Sequence, residues 1–305
     1  MLKPLPGQKT GNKGLILAIW SLKTRDYRFF DDFYPAKQLS AACSNRSLEL
    51  RFLFPHDVPS YLDTHAKSLD IKTTVCLIRG HLEPAIFELL EKKALRCINT
   101  RASMDVVQDK YRLYQFLTAH NWPTIKTDRI DPEKPLISPE YSFPVVIKPR
   151  YGSRGRGVSL IASESSLRAA ITYSANEQLL LQEYLANSHG RDVRILLAGD
   201  TLVAAYERVS AQGNFKSNAC EGAIAHKASW EGIDYWIQMA RDICARAGLW
   251  YASVDFLFRS PPSQKMVELA VCEVNASPGF EALDRDLCMD SATILIDAMI
   301  QDFFT

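Results

Sequence analysis

Val271-Cys272-Glu273-Val274-Asn275-Ala276-Ser277-Pro278-Gly279 decides how this chain of 305 residues is read. A hydrophobic run ends in Glu273 and Asn275, then breaks into a Ser-Pro-Gly turn. Residues i and i+2 of a strand share a face. The pattern therefore delivers one carboxylate and one carboxamide, side by side, to a loop. Hard divalent cations take oxygen ligands of this kind, and Mg2+ commonly combines one or two carboxylates with substrate phosphates. Upstream, Tyr251-Ala252-Ser253-Val254-Asp255-Phe256-Leu257-Phe258 places a second acid, Asp255, in another apolar run. Either acid alone is most simply an ion-pair partner. Two acid-bearing strands, one with a Glu-x-Asn-x-Ser-Pro-Gly ending, predict a magnesium site that holds a nucleotide.

Working outward, Phe143-Pro144-Val145-Val146-Ile147-Lys148-Pro149 reads as a strand carrying one lysine, and it runs into Tyr151-Gly152-Ser153-Arg154-Gly155-Arg156-Gly157. A charge on a half-buried strand needs a partner to offset its desolvation, and a nucleotide phosphate is one. The glycines of the loop let backbone N–H groups approach phosphate oxygens. The loop is not a Rossmann fingerprint, because a strand, Val158–Ile161, follows it. Nor is it a Walker loop, since no Gly-Lys-Ser/Thr ends it. By itself it reads equally well as a mobile hairpin turn. Gln182-Glu183-Tyr184-Leu185 closes a further apolar strand; alone it reads as a strand end with an ordinary acid, and the alternative is a connecting segment whose backbone bonds an adenine edge. Lys110 sits on a helical pattern with Val107, Tyr111, Tyr114 and Leu117 on one face.

The first hundred residues alternate strands (14–20, 48–54, 74–79, 94–98) with a helix at 83–90, which predicts a small open α/β domain with a parallel sheet. Residues 1–13 read as a tail and 127–141 as a connection. Asp192–Ala198 and Thr201–Glu207 read as a hairpin about Gly199-Asp200. The apolar positions from Ile233 to Ala247 predict an amphipathic helix closed by Gly248, and a second helix near 294–299 ends the chain. Arg79 reads as a turn residue after the third strand, with contact to an acceptor substrate as the alternative. A net charge of +1 gives no electrostatic case for nucleic acid or an anionic membrane. Seven scattered cysteines without a Cys-x-x-Cys pair fit a reduced, cytoplasmic setting.

In order, these pieces resemble the ATP-grasp superfamily and, within it, the RimK-type carboxylate–amine ligases. The matching residues are Asp109-Lys110, Val146-Ile147-Lys148, Gln182-Glu183-Tyr184 and Gly190-Arg191-Asp192-Val193-Arg194. Glu207-Arg208, Gly213-Asn214-Phe215-Lys216-Ser217-Asn218, Val254-Asp255 and the opening stretch continue the series. The resemblance implies an ATP-grasp fold, two α+β lobes clasping ATP, over 99–305 with a lid near 128–185. A pre-ATP-grasp α/β domain over 1–98 precedes it. It also implies that Lys110, Lys148, Asp192 and the loop residues Gly152, Ser153, Gly155 and Gly157 bind ATP. Gln182, Glu183, Tyr184 and Leu185 then hold adenine, while Asp255, Glu273 and Asn275 coordinate Mg2+ or Mn2+. Arg194, Arg208 and Asn218 face the reacting acyl group. The implied reaction joins a carboxylate to an amine, adding an amino acid to a small-molecule, peptide or protein acceptor, and such relatives are commonly homo-oligomers. A non-catalytic ATP-binding regulator and a kinase acting on a hydroxyl are the alternatives. One departure stands out. Glutamate-adding relatives carry His-Arg-Gly-Gly where this chain has Cys220-Glu221-Gly222-Ala223, which speaks against glutamate as the incoming amino acid.

Overall fold

The computed structural model describes residues 14–131, 141–153, 155–174, 178–211, 213–217, 222–262, 264 and 266–304. β1 (Leu15–Trp20), β2 (Glu49–Leu53), β3 (Thr74–Arg79) and β4 (Arg96–Ile98) form a wholly parallel sheet in the order β2-β1-β3-β4. β1 is apolar on both faces because both are covered. Leu17 and Ile19 pack into one core, and Ile16, Ala18 and Trp20 into another. The helix Pro84–Lys92 starts with its proline in the first turn, as the sequence predicts. Two further helices, Tyr34–Ser44 and Val58–His65, escape the sequence reading. The first buries mostly small residues, Ala36, Ala42 and Cys43 beside Leu39, so its apolar stripe has little contrast.

β5 (Thr127–Arg129), β6 (Val145–Pro149), β7 (Ser159–Ile161) and β8 (Leu179–Glu183) make an antiparallel sheet in the order β5-β8-β6-β7. β5 corrects the reading of 127–141 as connection only: Thr127 pairs with Gln182, and its hydroxyl bonds the carbonyl of Ile125. The helix Glu164–Tyr173 closes a small core of Val145, Ile147, Ile161 and Leu181 through Leu167.

β9 (Arg191–Ala198), β10 (Thr201–Val209), β11 (Ile224–Lys227), β12 (Tyr251–Phe258) and β13 (Leu269–Asn275) form the third sheet, antiparallel, in the order β11-β10-β9-β12-β13. One face, with Val193, Ile195 and Leu197, shares a core with the helix Ile233–Ala247. The other, with Leu196, Ala198, Tyr206 and Tyr251, shares a core with the parallel sheet and the helix Ser291–Phe303. The single helix expected around 107–117 is two, Arg101–Gln108 and Lys110–Ala119, divided at Asp109. The Asp109 carboxylate caps the second by accepting from the N–H groups of Tyr111 and Arg112 at 3.0 and 3.2 Å.

Asn99, buried just beyond β4, joins the parallel sheet to the third sheet. Its Nδ2 donates to the carbonyls of Tyr251 (2.7 Å) and Ala276 (2.8 Å), and its Oδ1 accepts from the N–H groups of Trp250 (2.7 Å) and Tyr251 (3.1 Å). Removing it strands four backbone groups, each costing about 1–3 kcal/mol if buried and unmet. Asn99→Ala is therefore expected to lower unfolding stability by about 3 kcal/mol or more, read from urea midpoints at unchanged m-value.

Candidate active site

The second and third sheets face one another across a cleft. From the second come Lys148, the Gly loop and the end of β8; from the third come Asp192, Arg208, Asp255 and Glu273, with Lys110 joining from its helix. The open space amounts to about 140 Å3, below the several hundred Å3 usual for a ligand of nucleotide size.

The floor carries a chain of buried ion pairs. Arg208, 5% exposed, bonds Asp192 through Nε and Nη2 at 2.7 and 2.6 Å, and Asp255 through Nη2 at 2.9 Å. Arg194 also bonds Asp255, with Nε at 2.7 Å from Oδ1. The Ser217 hydroxyl donates to Asp192 at 2.6 Å, and the Asn275 carboxamide lies 3.5 Å from Asp255. Strand register produces this cluster. Arg208 is paired with Asp192 across β10 and β9, Asp255 with Arg194 across β12 and β9, and Asp255 with Glu273 across β12 and β13. Burial alone would raise the Asp255 carboxyl, but the two guanidiniums outweigh it and hold it below the ordinary carboxylate value.

Opposite this floor, Lys148 is buried and its ammonium donates to Gln182 Oε1 at 3.0 Å. Gln182 in turn donates to Thr127 Oγ1 at 2.8 Å, which fixes the amide so that oxygen faces the lysine. The Lys110 ammonium donates to the Gly152 carbonyl and stands 3.8 Å from Glu273 Oε1. Burial lowers its pKa, against the pull of Glu273. Lys216 holds the other end of the loop through the Gly155 carbonyl at 3.2 Å. Gly152, Gly155 and Gly157 all adopt positive φ, a backbone conformation that residues with side chains rarely take. At the far end, Glu183 N–H bonds Lys126 O at 3.0 Å, while Leu185 N–H has no partner among the described residues.

Of the expected site residues, Lys110, Lys148, Gly152, Ser153, Gly155, Gln182–Leu185, Asp192, Arg208, Asp255 and Glu273 line the cleft together. Arg194 and Asn275 contact Asp255 without lining the cleft, and Gly157 stands at the loop's end. Asn218, Cys220 and Glu221 lie outside the described residues, as does Arg154. Other contributors escaped the sequence reading. Lys216 and Ser217 sit inside a matched motif without an assigned task. Arg150 forks onto Asp109, with Nη2 at 2.6 Å from Oδ2, tying the Gly loop to the start of the Lys110 helix. Leu257 and Cys272 line an apolar patch with Leu185, Ile125 and Ala270.

Asp255, Glu273 and Asn275 offer two carboxylates and a carboxamide, a donor set that fits a hard cation. No group of three or more His, Cys, Asp or Glu arranged for a metal occurs among the described residues. No helix among them is long and apolar enough to cross a membrane.

Comparison with known proteins bears on the same region. The family model of the RimK-like ATP-grasp domain matches residues 107–299. A probable alpha-L-glutamate ligase of Rhodopirellula baltica is 30% identical over 220 residues, covering 70% of this chain and 52% of that protein. A beta-citrylglutamate synthase B of Danio rerio is 30% identical over 234 residues, covering 73% of this chain and 55% of the relative. The chain thus spans about half the length of these two relatives. Among solved structures, a D-alanine–D-alanine ligase of Bacillus anthracis complexed with ATP superposes with a TM-score of 0.68 at 15% identity, covering 94% of this chain and 96% of that one. The two share the fold.

Asp255 also links the site to stability. A carboxyl whose folded pKa lies below its unfolded value of about 3.8 stabilises fully above that value and loses the contribution as pH falls through the folded one. Asp255→Asn is expected to cost about 3 kcal/mol at neutral pH, because two buried guanidiniums lose a counter-charge. Near pH 3 the gap from wild type should narrow, as measured by urea midpoints at both values.

Proposed function

The chain belongs to the RimK-like ATP-grasp family, and from that premise we propose that it is an ATP-dependent carboxylate–amine ligase, forming an amide by way of an acyl phosphate. The observation that carries the reading is the convergence in one cleft of Lys110 and Lys148 above Asp255 and Glu273, with Arg208 bonded to Asp255. A buried and a half-buried lysine facing two carboxylates make a charge pattern that a polyphosphate with a divalent cation would complete. The domain reading, with a small α/β domain over 1–98 and the ATP-grasp unit over 99–305, is part of the same proposal.

In this reading Lys148 and Lys110 neutralise phosphate oxygens, and the Gly loop lies over the phosphates with its N–H groups turned to them. The free N–H of Leu185 and the apolar patch of Leu257, Ala270 and Cys272 receive the adenine edge and face. Asp255, Glu273 and Asn275 hold Mg2+, which supplies charge neutralisation on the transferring phosphoryl group when bound. Arg208, fixed by Asp192 and Asp255, presents its guanidinium to the reacting oxygens without reorganising. Arg194 holds Asp255 in register beside it.

The chemistry divides into two displacements. An acceptor carboxylate oxygen attacks the γ-phosphorus, and the bond from that phosphorus to ADP breaks. The amine nitrogen then attacks the acyl carbon, the bond to phosphate breaks, and the nitrogen releases a proton. Water would hydrolyse the intermediate, so a loop that closes over the cleft has a direct chemical use. The two lysines that grip the loop at Gly152 and Gly155 support such a closure. The relatives' names point to glutamate as the amino acid to try first.

The test is Mg2+-dependent ADP release over a matrix of carboxylates and amino acids, with product mass recorded. ADP formation that needs both partners, with a product heavier than the acceptor by one amino acid less water, is the expected result. Lys148→Met and Arg208→Met should each lower kcat/KM by about a hundredfold or more. Transfer of a phosphate mass to a hydroxyl substrate, or tight ATP binding without turnover across the matrix, would overturn the proposal.

A further inference from the structure

Arg79 is the last residue of β3 rather than part of a turn, and it is buried at 6% exposure. Its guanidinium lies over two aromatic rings, 5.0 Å from the Trp20 centroid and 5.4 Å from that of Tyr251. Nη2 donates to the Pro278 carbonyl at 2.8 Å. The remaining donors, Nε and Nη1, are buried and have no hydrogen-bond partner among the described residues, and neither has the Trp20 indole N–H beneath them. No carboxylate among the described residues forms an ion pair with Arg79; Glu281 acts on it only at longer range.

Buried charges are ordinarily paired, and buried donors ordinarily bonded. Here three neighbouring donors lack a well-formed hydrogen bond among the described residues, and the nearest oxygen, the neutral Tyr251 hydroxyl, does not offset the charge. An oxyanion corrects all three together, and the planar guanidinium fork matches a carboxylate in particular.

The position suits a substrate. Ligands of open parallel sheets bind outside the carboxyl ends of the strands, and β1 and β3 both end here. Ser21 N–H bonds the Arg79 carbonyl at 2.9 Å, and Gly80 N–H bonds the Ser277 hydroxyl at 3.1 Å. The loops after β1, β3 and β13 are thereby sewn together, with Ser21 and the neighbouring His81 exposed at the surface. Tyr251, under Arg79, shares a strand face with Asp255 four residues along β12, about 13 Å away at the usual rise. Arg79 therefore stands on the same face as the ion cluster, toward the parallel sheet.

We propose that Arg79 and the Trp20 N–H form a subsite for a second carboxylate on the acyl acceptor, so that the protein selects dicarboxylic over monocarboxylic acceptors. The inference rests on the ligase reading for the acceptor's role.

The test uses matched pairs, succinate, glutarate, adipate and tricarballylate against their mono-amides, in two assays. In turnover, wild type should prefer the dicarboxylate of a pair, and Arg79→Gln should raise its KM about 10- to 100-fold with little change in kcat or in the KM for ATP. The gentler Trp20→Phe, which keeps the ring and removes the N–H, should raise KM by a smaller factor. Arg79→Lys should recover part of the loss. In binding, the dicarboxylates should shift tryptophan emission of the wild type, and the shift should disappear in Trp20→Phe and in folded Arg79→Gln. Turnover without preference within pairs overturns the subsite and leaves the ligase intact. An emission shift that requires Arg79, with no ADP formed, sinks the ligase reading and keeps the site. If no dicarboxylate alters either signal, the subsite is wrong.

Discussion

The structure depends on a guanidinium held between two carboxylates, all three nearly buried on the floor of the cleft. Arg208 bridges Asp192 and Asp255, and Arg194 bonds the second of these from the neighbouring strand. In a low-dielectric setting a half-satisfied pair costs more than none, so the four groups stand or fall together. Their contacts are cross-strand pairs, and this ties the chemistry to the register of β9, β10 and β12. A slip of one residue would turn Asp192 and Arg194 toward the helix Ile233–Ala247 and bring Val193 to the cleft. The ion cluster and the core on the opposite face therefore specify the same alignment.

The second sheet is coupled to this floor through side chains. Lys110 and Lys216 grip the Gly loop at Gly152 and Gly155, and Arg150 fastens the base of the loop to Asp109. Carbonyl oxygens are weaker acceptors for an ammonium group than phosphate oxygens, whose negative charge adds ion pairing to the hydrogen bond. A nucleotide that takes the two lysines would release the loop carbonyls and then engage the loop's own N–H groups. Loop position and phosphate binding are thus alternatives for the same donors. The narrowness of the cleft is consistent with the loop resting on those lysines.

Much of this was legible in the sequence for identifiable reasons. Continuous apolar runs gave β1, β3 and β12 because their faces are covered on both sides, and Gly199-Asp200 marked the hairpin of β9 and β10. The neighbouring acids Asp255 and Glu273 were legible because acids are rare in apolar strands. The helix break at Asp109 was not, since the apolar spacing of Val107, Tyr111 and Leu117 runs through it while the cap depends on a side-chain bond. Arg79 was hidden for a related reason. A strand-terminal arginine before glycine reads as solvated until the rings of Trp20 and Tyr251, distant in sequence, close over it. Asn99 carries no pattern at all, because its four bonds go to backbone groups that sequence does not label.

Counting by twos along β13 fails at one residue, and that failure shapes the cleft. Asp255 pairs with Glu273 but Phe256 pairs with Val271, so Cys272 is the extra residue of a bulge. In a regular strand Glu273 would share its face with Val271, and Ala270 would point into the helix-covered core. With the bulge, Glu273 and Ala270 come to one face beside Asp255 and Leu257, while Val271 joins Val254 and Phe256 in the core behind. One short strand then presents a carboxylate and, next to it, an apolar floor. A site that must receive both a charged polyphosphate and a flat heterocycle needs that adjacency. The i, i+2 rule holds from Glu273 to Asn275, on the loop side of the bulge, and does not extend back across Cys272.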